Sequence, residues 1–174
     1  LYVAAALLLA LCCLYVAFGG LAPQKIPVVG RLLQQYQRIK NMKDTFAAVT
    51  WEATLCFGDE NADFLIREFR KITCLPQPEK KAAELVNELI QGPQGKGIRT
   101  VPVSTRLRSV ELQGDGLLVV DLSDALIKQH PGGSASEMMT VFSLVNTITM
   151  NISEVKRGRL MVDGKPIDTI TGHI

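Results

Sequence analysis

The sequence contains few of the residues that build metal centres, disulfide frameworks or nucleic-acid-binding surfaces. Its 174 residues include two histidines and four cysteines, and no HxH, HExxH or CxxC spacing occurs. Zinc sites and disulfide-rich small domains depend on such residues, so both classes are disfavoured. The formal net charge is only +2, which excludes a strongly basic nucleic-acid-binding domain. We therefore expect no cofactor, no metal and no nucleic-acid partner.

Long hydrophobic runs are also absent, except at the start of the chain. Residues 1–22 carry no charge, and only Gly19 and Gly20 interrupt their hydrophobic side chains. A helix of this length measures about 33 Å and spans a hydrocarbon core of about 30 Å. We predict that residues 1–22 are a transmembrane anchor that binds the chain to the membrane. A cleaved signal peptide is the alternative, although its apolar region is normally only about 7–15 residues long.

Positive charge is concentrated just after this segment. Residues 23–50 contain five basic residues and one acidic residue, whereas residues 51–174 contain 14 basic and 16 acidic residues. We interpret 23–50 as a basic juxtamembrane linker. Basic residues beside a membrane helix favour the cytoplasmic side, but what precedes Leu1 is unknown, so the charge rule leaves the orientation open.

The linker contains the pattern of one amphipathic helix. Leu32, Tyr36, Ile39 and Met42 follow helical spacing within residues 28–43. This helix either lies on anionic lipid or connects the anchor to the domain as a solvated linker.

Residues 51–174 have the pattern of one α+β domain. The predicted strands are 54–57, 64–72, 106–112, 117–122, 155–162 and 166–170, and the predicted helices are 78–91 and 134–150. The order is β-β-α-β-β-α-β-β, with 117–122 as a central strand because its first four residues are all apolar. The simplest packing places both helices on one face of an antiparallel or mixed sheet.

The second helix has a predicted cap and a predicted buried face. Ser134 and Glu137 match a capping box, in which each side chain satisfies a free backbone donor. The predicted buried residues are Met138, Val141, Phe142, Val145 and Ile148.

Two glycine-containing loops are candidate anion sites. Gly132, Gly133 and Ser134 precede a helix N-terminus, where backbone donors point outward, although the capping role of Ser134 competes with ligand binding. Residues 92–97 resemble a phosphate cradle only superficially, because they follow a helix and a glycine follows Lys96. We interpret 92–97 as a helix stop and loop.

Other polar residues are assigned structural roles. Asn146 is predicted to tie its helix to a neighbouring backbone, with ligand contact as the alternative. Asp121 is expected to help form a turn and a helix cap. Asp163 and Gly164 are expected to form a two-residue hairpin turn with positive φ at both positions. His130 and His173 are assigned no catalytic or metal role, and the sequence contains no recognisable set of nucleophile, base and orienting residue.

The two cysteines outside the anchor are predicted to be free thiols. A hairpin that turns near residues 60–61 places Cys56 opposite residue 65. Cys74 then lies too far along the partner strand for the Cα separation of about 4.4–6.8 Å that a disulfide requires.

The order of motifs from residue 51 onward resembles a GerMN domain, the module of sporulation and spore-germination proteins. The motifs are residues 55–60, Glu68 and Arg70 in the second strand, 88–93, 101–110, 116–123, 132–134 with Glu137, 144–147 and 162–166. The resemblance covers nearly all of residues 51–174. It implies an extracytoplasmic, membrane-tethered domain without catalytic activity, similar in fold to ring-building modules of secretion-like assemblies.

The resemblance leads to a specific functional expectation. We expect a non-enzymatic, single-pass protein of the bacterial cytoplasmic membrane, with residues 51–174 on the periplasmic or cell-wall side. Its partners would be envelope proteins, in a general envelope role or in a spore-related assembly. The alternative is a domain that binds peptidoglycan or a small ligand through Gly132–Ser134 and the 92–97 loop.

Overall fold

The computed structural model describes Arg31 and residues 34–38 and 47–172. The chain divides into two units, Leu1–Phe46 and Ala47–Ile174. In the first unit, Arg31 and residues 34–38 are helical, within the predicted amphipathic segment. The predicted anchor, residues 1–22, lies outside the described residues. Among the residues that are described, no helix combines the length and apolar character needed to cross a membrane.

The second unit contains the predicted elements in the predicted order. The strands are β1 (Val49–Gly58), β2 (Leu65–Cys74), β3 (Leu107–Leu112), β4 (Leu117–Leu122), β5 (Arg157–Val162) and β6 (Lys165–Pro166), and the helices are α1 (Pro78–Gln91), α2 (Ala125–Lys128) and α3 (Ser134–Asn151). The α+β class is confirmed. The short helix α2 was not among the predicted elements, and the last strand is shorter than predicted.

The strands form two sheets, so the expectation of one sheet was wrong. β1 and β2 form an antiparallel hairpin, and the second sheet has the order β3-β4-β5-β6. This second sheet is mixed, because β4 and β5 are parallel whereas the other pairs are antiparallel. Parallel neighbours need a long crossover, and here α3 is part of it. The free edge of β1 contacts α3 and does not join the second sheet.

α1 begins and ends where its sequence signals indicate. Pro78 occupies the first helical position and Gly92, with φ 91°, ends the helix. Its buried residues are Ala82, Leu85, Val86 and Leu89. The helix packs against β1 and β3.

β4 lies between β3 and β5, and five of its six residues are buried, as predicted for the central strand.

Side chains of α3 satisfy the outer edge of β1. The Cys56 N–H donates to Thr147 Oγ1 (2.9 Å), and Ser143 Oγ donates to the Cys56 carbonyl (2.6 Å). Asn151 accepts from the Thr54 N–H (3.0 Å) and donates to the Thr54 carbonyl (2.7 Å). Four helical residues advance about 6 Å and two strand residues about 6.8 Å, so the helix keeps register with the strand. We call Ser143, Thr147 and Asn151 the polar ladder.

The polar ladder changes the predicted orientation of α3. Its buried residues include Glu137, Thr140, Ser143 and Thr147, together with Leu144 and Ile148. Ile148 was therefore placed correctly, and Val141 is partly buried against the core. The expectation that Met138, Phe142 and Val145 are buried was wrong, because they are 43%, 51% and 40% exposed. Backbone groups on an open strand edge require polar partners, so the polar face of the helix turns inward.

The hairpin register separates the two cysteines, as expected. Cys56 pairs with Arg67 and not with residue 65, because Gly58 pairs with Leu65 across a longer turn. Cys74 lies seven residues beyond Arg67, or roughly 24 Å along the strand. Both thiols are free, with Cys56 buried and Cys74 half-buried.

Candidate functional site

The predicted ligand residues lie in the wall of a cleft at the N-terminal end of α3. Gly132, Gly133 and Ser134 line this cleft of about 540 Å³, together with Gly58 and residues 98–102. Gly132 and Gly133 have φ values of 80° and 84°, which favour glycine. A Cβ atom on Gly133 would meet no atom within 4 Å. The backbone conformation, and not a lack of space, therefore requires glycine at position 133.

His130 organises the loop that leads into the cleft. Its Nδ1 accepts a hydrogen bond from the Gly132 N–H (3.1 Å), so Nε2 carries the proton and donates to Thr140 Oγ1 (2.9 Å). Thr140 in turn donates to the Thr100 carbonyl (2.5 Å). Burial lowers the pKa of His130, and the charge of Glu137 opposes this effect. His130 therefore has a structural role. His173 lies outside the described residues.

The predicted capping box of α3 is wrong. Gly133 is the N-cap residue, and no side-chain cap hydrogen bond is present there. Glu137 is fully buried and accepts hydrogen bonds from Thr169 Oγ1 (2.8 Å), the Ile170 N–H (3.2 Å), the Thr171 N–H (3.1 Å) and the Thr171 hydroxyl. Burial raises the pKa of Glu137, but these bonds outweigh it and lower the pKa to about 2. An ionised carboxylate thus holds the segment that follows β6.

Backbone N–H groups of the 92–97 loop that could bind an anion already bind a carboxylate of the same chain. The Gln94 and Gly95 N–H groups donate to the Glu68 carboxylate (3.1 and 2.9 Å). Although burial raises the pKa of Glu68, the hydrogen bonds from Gly95 and Arg70 lower it below its ordinary value. Residues 92–97 do not line the cleft at Gly132. The alternative that places a ligand on this loop is therefore not retained.

Arg70 connects β2 to the end of α1. Its guanidinium is paired with Glu68 (2.5 Å) and Glu88 (2.6 Å) and donates to the Gly92 carbonyl (2.6 Å). It also lies 5.4 Å from the ring centre of Phe57. With only 8% of Arg70 exposed, this cluster is an internal structural contact and not a binding surface.

Asp121 lies inside β4 and not in a turn or helix cap, which corrects its predicted role. Its carboxylate accepts hydrogen bonds from the Gly164 N–H (3.0 Å) and Arg108 Nε (3.1 Å). Asp163 and Gly164 have φ values of 49° and 76°, the positive values that a two-residue hairpin turn requires. The cap residue of α2 is Asp124, which makes no side-chain cap bond. Asp121 therefore positions the β5–β6 turn.

Asn146 does not tie α3 to a neighbouring backbone. It is half-buried, and within the described part of the chain no hydrogen bond involves its side chain. Asn151 performs that role through its two bonds to Thr54. The sequence offered no signal to choose between two asparagines on the same helix.

The solvent-facing side of α3 exposes large apolar side chains. Met138, Phe142 and Val145 share one face because they are spaced by four and three residues, and we call them the α3 stripe. Beside the stripe, a groove of about 410 Å³ lies between α3 and the β4–β5 face. Its apolar lining includes Leu118, Val141, Val145, Ile148, Leu160 and Ile167.

The titratable groups of residues 47–172 do not form a recognisable catalytic set. Within the described residues, no group of three or more His, Cys, Asp or Glu side chains is placed to hold a metal. The carboxyl groups with resolved pKa shifts all have lowered values, whereas a general acid near neutral pH needs a raised one. They are Asp59, Glu68, Asp124, Glu137 and Glu154. These carboxylates accept hydrogen bonds from neighbouring backbone or side-chain groups.

Several solved structures resemble the chain. A "Putative Lipoprotein" from Clostridium perfringens is 25% identical with a TM-score of 0.51, and the match covers 71% of this chain and 81% of that one. The first GerMN domain of the sporulation protein GerM from Bacillus subtilis is 21% identical with a TM-score of 0.57, covering 71% and 91%. The tandem GerMN domains of GerM are 19% identical with a TM-score of 0.58, covering 72% and 43%.

The likeness to the two GerM structures shows a shared fold. A comparison with curated proteins found no match. The family model described as "Germane: Sporulation and spore germination" matches residues 54–168, which is roughly two thirds of the chain and includes β2 to β6. The chain therefore belongs to the Germane (GerMN) family of sporulation and spore germination.

Proposed function

We propose that the protein is a non-catalytic, membrane-anchored module that binds other proteins of the bacterial envelope through the α3 stripe. The observation that carries this proposal is the exposure of Met138, Phe142 and Val145 on one face of α3. Exposed apolar groups that cluster on one face are typical of protein contact surfaces. Aromatic and methionine side chains are also enriched at such interfaces.

The support of α3 favours a rigid binding surface. The polar ladder fixes the helix to β1, and Glu137 fixes its first turns to the segment that follows β6. A helix held at both ends loses little conformational freedom when a partner binds, and this favours affinity. The α3 stripe would therefore present its side chains in a preset arrangement.

The membrane location is supported by two separate observations. Residues 1–22 have the length and composition of a transmembrane anchor. A structural neighbour from Clostridium perfringens bears the name lipoprotein, the name of a membrane-attached class of protein. Together they favour an extracytoplasmic domain beside the membrane.

In-cell photo-crosslinking of the full chain tests this function. A photoreactive phenylalanine analogue at Phe142 is expected to capture envelope proteins. The matched control is the same analogue at Phe69, which is 63% exposed on β2 and lies outside the stripe. Equal capture at both positions, or none at Phe142, would contradict the proposal.

A second function, binding of peptidoglycan or a small ligand, is favoured only by the cleft at Gly132, Gly133 and Ser134. Ala135 lines the same cleft within α3, so Ala135→Trp would fill it without changing a positive-φ glycine. If this second function is correct, the full chain co-sediments with purified peptidoglycan and Ala135→Trp abolishes co-sedimentation. Retained co-sedimentation would exclude the cleft as the site.

A further inference from the structure

The first residues of β5 use only alternate backbone groups to pair with β4. The Arg157 N–H donates to the Gly116 carbonyl (3.2 Å), and Leu118 is aligned with Gly158 in the parallel pair. Neighbouring residues of a strand direct their backbone groups to opposite sides. Gly158 and Leu160 therefore direct their N–H and C=O groups away from β4.

On the side of β5 that faces away from β4, the strand β6 is too short to pair with all of these backbone groups. β6 pairs only with the last two residues of β5, and the Ile167 N–H donates to the Leu160 carbonyl (3.3 Å). Outside the pairings of β5 with β4 and β6, no hydrogen bond within residues 47–172 involves the Gly158 N–H, the Gly158 carbonyl or the Leu160 N–H. They form a short open strand edge, a structure that pairs readily with another extended chain.

The open edge adjoins the groove beside α3. Gly158 and Leu160 both line that groove. Gly158 is exposed, and a Cβ atom built on it would meet no atom within 4 Å. A strand added along this edge would point every second side chain into the groove, toward Val145 and Ile148. The groove therefore selects apolar side chains at alternate positions.

The edge also carries two exposed arginines, Arg157 and Arg159. Arg157 is paired with Asp115, whereas Arg159 lines the rim of the groove, as does the exposed Asp168. Arg159 makes no ion pair or hydrogen bond with any side chain in the described part of the chain. Residues directly opposite in neighbouring strands interact, and opposite charges are favourable there. The intervening side chains of an added strand are therefore best acidic.

We propose that β5 binds an extended segment of a partner protein as an added strand, with alternating apolar and acidic residues. The segment pairs with the free backbone groups of Gly158 and Leu160, and its acidic residues lie beside Arg159. This inference rests on the proposed function, because it specifies how a protein partner is recognised next to the α3 stripe. Main-chain pairing supplies affinity in such strand additions, and the pockets for alternate side chains supply specificity.

The test uses a fluorescent peptide of about eight residues that alternates valine and glutamate. Binding to the full chain in neutral detergent micelles is measured by fluorescence anisotropy, and amide exchange of residues 156–162 by mass spectrometry. The peptide is expected to bind and to slow that exchange. A peptide of the same composition with its valines and glutamates in two blocks is expected to bind at least about tenfold more weakly.

Two substitutions at Gly158 provide a matched pair. Gly158→Pro removes the outward N–H at an edge position where proline is tolerated, and it is expected to weaken binding about tenfold. Gly158→Ala keeps the N–H and meets no neighbour, so it should bind as the unchanged chain does. If Gly158→Pro does not fold, methylation of the peptide amides that face β5 provides the same test. Arg159→Glu should weaken binding of the glutamate peptide and strengthen binding of a valine–lysine peptide.

Several results would overturn the added strand. They are absence of binding, equal binding to Gly158→Pro and Gly158→Ala, equal binding of the block peptide, and a dimer of this chain that Gly158→Pro dissolves. Crosslinking at Phe142 that persists when the peptide fails would leave the proposed function intact and remove only the strand addition. Peptide binding without any partner captured at Phe142 would instead contradict the proposed function.

Discussion

Replacing Thr147 by valine tests whether the polar ladder stabilises the domain. Thr147 is fully buried, and its Oγ1 is the acceptor for the Cys56 N–H. Valine has nearly the same shape and a similar helix propensity, so the substitution removes the acceptor with little change in packing. A buried backbone donor that loses its partner costs about 1–3 kcal/mol. For a domain of this size, that corresponds to roughly 4 °C in Tm for each kcal/mol.

The matched control is Thr149→Val on the same helix. Thr149 is exposed, and its hydroxyl donates to the Val145 carbonyl one turn earlier, so its loss is expected to change stability by less than about 0.5 kcal/mol. The assay is urea unfolding of the full chain followed by fluorescence of Trp51, the only tryptophan, which lies in β1. If Thr147→Val and Thr149→Val unfold at the same urea concentration, the reasoning that α3 satisfies the β1 edge is refuted.

Three further predictions use the same unfolding assay. The pKa of Glu137 is about 2 in the folded state, whereas its ordinary value is 4.5, so its stabilising contribution is present above pH 4.5 and is lost as the pH falls toward 2. Glu137→Gln should reduce this pH dependence of the unfolding free energy, and an unchanged pH profile would contradict the prediction. Arg70→Leu should lower the unfolding free energy by about 3–5 kcal/mol, because two partly buried carboxylates lose their partner; a loss below about 1 kcal/mol would show that the cluster is well solvated. Gly164→Ala should cost about 1–2 kcal/mol at its φ of 76°, whereas Gly158→Ala should be neutral, and equal effects would argue against strain at the turn.

Local signals predicted the elements that short-range chemistry controls. α1 was predicted at its observed bounds, because Pro78 and Gly92 act on the backbone next to them. The Asp163–Gly164 turn was recognisable for the same reason, since positive φ depends mainly on the residue itself. The Gly132–Ser134 segment lies in the wall of a cleft, and its role in ligand binding stays a prediction.

Signals that depend on distant partners were misread. Ser134 and Glu137 have capping-box spacing, but Glu137 contacts residues 169–171. Asp121 is a residue type common in turns, but its carboxylate accepts from Gly164, in a turn 43 residues later. In each case the residue type indicated that the side chain makes a polar contact. The nearby sequence did not identify the partner of that contact, because the partner is distant along the chain.

The amino-acid sequence was enough to recognise the family, through the resemblance of its motifs. It also predicted the order of the main strands and helices and the bounds of the two long helices, because these follow from periodicity and from local backbone preferences. Three features depend on contacts between residues that are distant in sequence and could not be predicted: the buried face of α3, the division of the strands between two sheets, and the open edge of β5. Apolar periodicity assumes that the apolar face turns inward, but the unpaired backbone groups of Thr54 and Cys56 required the polar face of α3 instead. Met138, Phe142 and Val145 consequently lie at the surface, where they form the proposed binding face.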